Sequence, residues 1–183
     1  MPPWPVSASR VPYENQWIRV VEDDVTRPDG ATGIYGVVEV RNPAVFVVAL
    51  TAADEVVLIT VDRHTVGPSI EVPAGGTDGQ HPLVAAEREL REEAGLMAER
   101  WHEIGRMWSL NGVCRAPGIV YLATDLTPSD EADTRLEQEA EGISSVQTVP
   151  LTRVVDLVRQ GQITDNESLG ALMYALAHLG RVR

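Results

Sequence analysis

A chain of 183 residues with 44% hydrophobic and 23% charged residues has the make-up of a soluble globular protein, and its length suits one domain with a small appended unit. A formal net charge of -12 excludes non-specific binding to nucleic acid or to an anionic membrane surface, since both need a basic face. All fifteen basic residues are arginine, which also excludes a phosphate-loop lysine, a Schiff-base lysine and a Ser–Lys nucleophile.

Along the chain, residues 1–12 are rich in Pro and Ser and read as extended or mobile. The segment from Tyr13 to Val40 reads as strands separated by the turn RPDGATG. Next come AVFVVAL, a buried apolar strand, and VVLITVDR, a second strand after the turn TAADE. A short strand, SIEVPAG, ends at Pro73, and a helix is predicted over Pro82–Ala94. Two more strands, WHEIGRMWSL and GIVYLATDL, flank the loop NGVCRAPG. Residues 127–142 are acidic and weakly periodic, and read as a mobile loop with a helical turn. SVQTVPL is the last strand, followed by the helices TRVVDLVRQG and ESLGALMYALAHLG. Strands around one central helix, with two helices at the end, imply an α/β sandwich with a mixed sheet and an N-terminal β extension.

Side chains able to do chemistry are unevenly spread. Cys114 is the lone cysteine, so neither an intrachain disulfide nor a cysteine-based zinc site can form, and it reads as a small, partly buried apolar residue. His64, His81, His102 and His178 lack metal-ligand spacing and read as structural. Trp17 lies in a strand and is a candidate to stack on a base or ribose, though strand tryptophans more often pack in a core or an interface. The start of the sequence lacks an apolar segment of signal-peptide length, and no apolar run is long enough to span a bilayer. A cytoplasmic location is therefore the expectation.

The predicted central helix is more informative. Pro82 suits its first turn and Gly95 the left-handed residue just past its end. At about 100° per residue, Leu83, Ala86, Leu90 and Ala94 form one apolar stripe, and Glu89, Glu92 and Glu93 share the adjacent face. Three like charges at that spacing repel unless a cation sits among them, and carboxylate oxygens are hard ligands that favour Mg2+ or Mn2+ over Zn2+. The preceding loop, Ala74-Gly75-Gly76-Thr77-Asp78-Gly79, is glycine-rich, which permits close backbone approach to an anion or metal.

Together, loop and helix resemble the signature of the Nudix hydrolases: Gly, five residues, Glu, seven residues, Arg-Glu, an aliphatic residue, one residue, Glu-Glu, one residue, Gly, aliphatic. The run from Arg88 to Leu96, RELREEAGL, matches the second half completely. The first half departs twice: Gln80 stands where the family has Glu, and only four residues separate it from Gly75. In the family that Glu braces the motif arginine, here Arg88, and Gln80 can brace it only without charge assistance.

The resemblance implies a Nudix-type α/β/α sandwich, with residues 1–40 an N-terminal β extension that serves dimerisation and residues 41–183 the hydrolase domain. Beyond the signature, VDRHTVG before EVPAG and the run Tyr13–Trp17 are similar to the ADP-ribose pyrophosphatase branch. This implies a homodimer, while the acidic charge leads to the expectation of no nucleic-acid and no membrane partner. It also implies a metal-dependent pyrophosphohydrolase that splits a nucleoside diphosphate linked to another moiety, with ADP-ribose giving AMP and ribose 5-phosphate. Another nucleotide sugar, a dinucleotide, or a non-catalytic nucleotide sensor are the alternatives. By resemblance, Glu89, Glu92, Glu93 and the carbonyl of Ala74 hold Mg2+ or Mn2+, Arg63 contacts substrate phosphates, and Gly75, Gln80, Arg88 and Gly95 shape the motif. The general base is a late-loop glutamate, Glu139 or Glu141 with Glu137 in a rival register, or else Glu89. Asp165, in a recurring place of that branch, reads as a helix N-cap.

Overall fold

The structure, a computed structural model, describes residues 4–129 and 134–182. The beginning of the expected N-terminal arm (1–3) and part of the acidic stretch (130–133) lie outside the described residues. The chain divides into two compact units.

One unit takes the chain up to Pro43 together with Trp108–Pro117. Its strands β1 (Val6–Glu14), β2 (Ile18–Thr26) and β3 (Thr32–Val40) form an antiparallel meander, and the short β9 (Cys114–Arg115) adds to β3 in parallel. The expected turn joins β2 to β3: Gly30 takes φ 84°, and the Asp29 carboxylate accepts the N–H of Ala31 at 3.0 Å. From Val6 on, the residues read as extended or mobile are strand, the extended of the two readings. Every residue of β1 is exposed, and its order comes from the backbone ladder to β2 rather than from an apolar pattern the sequence could display.

The other unit is a three-layer sandwich built on β4 (Ala44–Ala49) and β10 (Pro117–Pro128). These two run parallel in the sheet β7-β4-β10-β8, where β7 is Ala74–Gly76 and β8 is Leu96–Trp108. Because β7 pairs antiparallel with β4, the sheet is mixed. A second, antiparallel sheet has the order β11-β5-β6, with β5 Glu55–Arg63, β6 Gly67–Glu71 and β11 Ile143–Pro150.

Alternation along the central strands explains why both read as continuous apolar runs. Val45, Val47 and Ala49 of β4, with Ile119, Tyr121 and Ala123 of β10, pack under α1 (Pro82–Ala94). The intervening Phe46, Val48, Val120 and Leu122 face the opposite way, against α3 (Leu151–Arg159) and α4 (Asn166–His178). The fold class expected from the sequence, an α/β sandwich with mixed sheet, is the one observed. The acidic stretch contains more structure than was read from it: Thr134–Glu141 forms a helix, α2. None of its residues is buried, so no apolar stripe marked it in the sequence.

Candidate active site

Helix α1 is placed by its stripe and its ends. Ala85, Ala86 and Leu90 are fully buried, with Leu83 and Ala94 packed beside them. His81 is the N-cap and its Nδ1 accepts the Leu83 N–H at 3.3 Å, while Gly95 closes the helix at φ 66° and donates to the Arg91 and Leu90 carbonyls. This turns Glu89 and Glu93 inward, to 4% and 3% exposure.

Strand β7 faces them. The Ala74 N–H donates to Glu93 Oε2 at 2.7 Å. Gly75 lies so close to Glu89 that a Cβ there would fall 2.0 Å from Oε1, which accounts for glycine at this position without any need for a left-handed backbone. The loop then reverses over Thr77–Gln80. Asp78 and Gly79 both take positive φ, 49° and 79°, and the Gln80 N–H reaches the Thr77 carbonyl at 2.8 Å. Left-handed φ at both central positions is the pattern of a type I′ turn, for which Asp-Gly is a preferred pair. The one-residue shortening of the motif is thus taken up by a tight turn.

Arg88 ties loop to helix. It donates to the Gly76 carbonyl at 2.8 Å, to Glu92 at 3.0 Å and to Gln80 Oε1 at 3.3 Å, and lies 2.8 Å from Glu89. Gln80 therefore braces Arg88, through a neutral acceptor and the longest of these contacts. Burial disfavours the Arg88 charge, but Glu89, Glu92 and Asp78 outweigh it and its pKa is raised.

Glu92 is placed differently from its neighbours. It is held between Arg88 and Arg91, each at 3.0 Å. The third carboxylate near Glu89 and Glu93 is instead Glu141, from the C-terminal end of α2, and one oxygen from each of the three lies within 4.8 Å of the others. Glu139, two residues earlier and so about 200° round α2 on its solvent side, is exposed and paired with Arg135 at 2.9 Å. Glu137 is half-buried.

The electrostatics of this cluster point to a cation. Burial pushes the Glu93 carboxyl up to about 9; the Ala74 N–H opposes the shift and the charges of Glu89 and Glu141 add to it. Burial likewise lifts Glu89 to about 7, against the pull of Arg88. Carboxylates gathered this way are stable only when protonated or bound to a cation. The donor set is all oxygen, with no Cys or His among the three, which fits a hard divalent ion such as Mg2+ or Mn2+.

Arg63, at the end of β5, is exposed and makes a two-pronged ion pair with the buried Glu71, at 3.1 and 2.6 Å. Its pKa is raised, first by that bond and further by the charges of Glu93 and Asp165. Asp165 is the N-cap of α4, accepting the Ser168 N–H at 2.7 Å; Ser168 Oγ in turn accepts the Val72 N–H at 3.0 Å. Sequence reasoning passed over Glu71, whose signal was an acid inside the buried strand SIEVP. Trp17 belongs to the other unit, is 67% exposed, and donates its backbone N–H to Asn15 Oδ1 at 2.9 Å. That unit also holds a cavity of about 600 Å3, lined by Trp4, Val25, Tyr35, Val37, Trp108 and Cys114 among others, which contains none of the expected site residues.

Comparison with known proteins gives a consistent picture. Residues 40–169 match the NUDIX domain model, and residues 4–38 match the model of the nucleoside diphosphate sugar hydrolase N-terminal domain. An ADP-ribose pyrophosphatase from Mycobacterium tuberculosis (strain ATCC 25618 / H37Rv) is 30% identical over 154 residues, covering 82% of this chain and 72% of that protein. A methanol dehydrogenase activator from Bacillus methanolicus is 28% identical over 171 residues, covering 88% and 86%. The crystal structure of an ADP compounds hydrolase superposes with a TM-score of 0.80 at 21% identity, over 98% of this chain and 97% of the other, and so shares the fold.

Proposed function

The chain belongs to the Nudix hydrolase family, and from that premise we propose that it is a Mg2+- or Mn2+-dependent pyrophosphohydrolase cleaving ADP-ribose to AMP and ribose 5-phosphate. The observation that carries this reading is the convergence of Glu89, Glu93 and Glu141 on one point, with two of the three buried and shifted toward protonation. The similarity to an ADP-ribose pyrophosphatase and the match at residues 4–38 support this substrate class.

In this reading Glu89 and Glu93 hold the ion, aided by the Ala74 carbonyl, and Glu92 keeps Arg88 in place between loop and helix. A bound divalent ion would neutralise charge on the diphosphate and acidify water. Arg63, fixed by Glu71, contacts a phosphate. Glu141, a further oxygen donor beside the ion, accepts the proton of the attacking water. The water oxygen bonds to one phosphorus, the bridging P–O bond breaks, and the two monophosphates leave. Glu139 is the less favoured base because it is paired with Arg135 and outside the cluster. Trp17 is assigned to the base or ribose of the substrate. The same reading takes residues 1–40 as a dimerising extension, 41–183 as the hydrolase domain, and the protein as a cytoplasmic homodimer. No described helix is long and apolar enough to cross a membrane.

The test is release of AMP from a panel of nucleoside diphosphate compounds with Mg2+ and with Mn2+. ADP-ribose should be turned over most efficiently, and chelation should abolish the reaction. Tight ADP-ribose binding without AMP release would instead favour a nucleotide sensor, a reading motivated by Gln80 and the shortened loop.

A further inference from the structure

We propose that Gln138 is a positioning residue, whose side-chain amide clamps α2 onto the C-terminal end of α1 and so holds Glu141 in the carboxylate cluster. The inference rests on the reading above, in which Glu141 belongs to the active site.

The last carbonyls of an α-helix have no partner within it. In α1, Gly95 serves the carbonyls of Leu90 and Arg91 and leaves that of Glu93 open. Gln138 Nε2 donates to the Glu93 carbonyl oxygen at 2.9 Å. Glu93 thus meets α2 twice, accepting Gln138 through its backbone while its carboxylate lies beside that of Glu141.

On a helix, residues three apart share a face. Gln138 and Glu141 therefore look together toward α1, while the Arg135–Glu139 pair stands in solvent. At eight residues, α2 is too short to be stable alone, and it buries none of them. Polar bonds must hold it in place. The clamp grips its middle, and at its far end the Gly142 carbonyl, in a residue with φ 76°, accepts the Asp62 N–H from β5 at 2.9 Å. Releasing the clamp frees the helix on the side that carries Glu141.

The experiment is a double-mutant cycle on Gln138→Met, which keeps length and volume but removes the donor, and Glu141→Gln. Two measurements are made on all four proteins: affinity for Mn2+ by titration with the metal alone, and steady-state kinetics with ADP-ribose, which give kcat and KM. Gln138→Met should weaken Mn2+ binding and lower kcat, each about ten-fold, the scale on which groups that orient a metal ligand act. KM should stay within about two-fold of wild type, and in the Glu141→Gln background Gln138→Met should change nothing further, the sign of action through Glu141. Wild-type values for Gln138→Met, or equal losses in both backgrounds, would overturn the clamp. If Glu141→Gln leaves both readouts unchanged, or wild type binds no Mn2+, the site assignment fails and the clamp with it. If Gln138→Met does not fold, Gln138→Glu, which keeps the shape and loses the donor, is judged by the same outcomes.

Discussion

The carboxylate cluster draws on two regions built in opposite ways. Glu89 and Glu93 sit on a helix whose apolar stripe is locked into the core, and both are buried. Glu141 sits exposed at the end of a short helix that buries nothing and is held by polar bonds. The first region is rigid but must hold charge where charge is disfavoured. The second keeps its acid in water, at the cost of weak placement. A site made this way has a fixed anchor for a cation and an adjustable group for a proton.

Removing charge from the rigid half should have the largest effect. Glu93→Gln should lower turnover about a thousand-fold, on the scale of losing a main electrostatic contact of a reaction. The same change should raise the thermal midpoint of the metal-free protein at pH 9, because the buried carboxyl no longer ionises. Loss of activity together with gained stability would separate function from folding at one residue.

In the adjustable half, Glu141→Gln should lower kcat about a hundred-fold, in the range of a lost general base, and leave the thermal midpoint unchanged. Steady-state kinetics and thermal unfolding on the same samples check both.

Packing between the halves of the motif is the next test. Gly75→Ala should destabilise the protein by about 1–3 kcal/mol, since the added carbon falls on the Glu89 carboxylate and must displace it or β7. Denaturant titration gives the magnitude, and Mn2+ affinity should fall with it.

The pH dependence of the rigid half has a definite sign. Glu93 and Glu89 bind protons more tightly in the folded chain, at about 9 and about 7, than the ordinary carboxyl value of 4.5. Their stabilisation is therefore complete below that ordinary value and is lost as pH rises through about 7 and then about 9. With chelator present, the thermal midpoint should fall between pH 6 and pH 9. Added Mg2+ should restore it, and more so at pH 9, where the ligands are ionised. The smallest effect belongs to Glu139→Gln, which should leave kcat within about two-fold of wild type because an exposed ion pair contributes little.

Much of the molecule could be read from the chain alone because the relevant signals are local. The apolar stripe, Pro82 and Gly95 define α1 to the residue, and the continuous apolar runs in AVFVVAL and GIVYLATDL mark the two central strands. The spacing of Glu89, Glu92 and Glu93 pointed to a cation, and RELREEAGL identified the family. Periodicity shows which residues share a face. It does not show what the face meets. Only the tertiary structure decided that Glu92 turns to Arg88 and Arg91 while Glu141 joins Glu89 and Glu93. It alone showed that Arg63 leans on Glu71, and that Asp-Gly closes the shortened loop as a tight turn. These choices depend on the distance between an acid and a cation brought together from different elements, and on how much water is left between them. A linear pattern carries neither quantity.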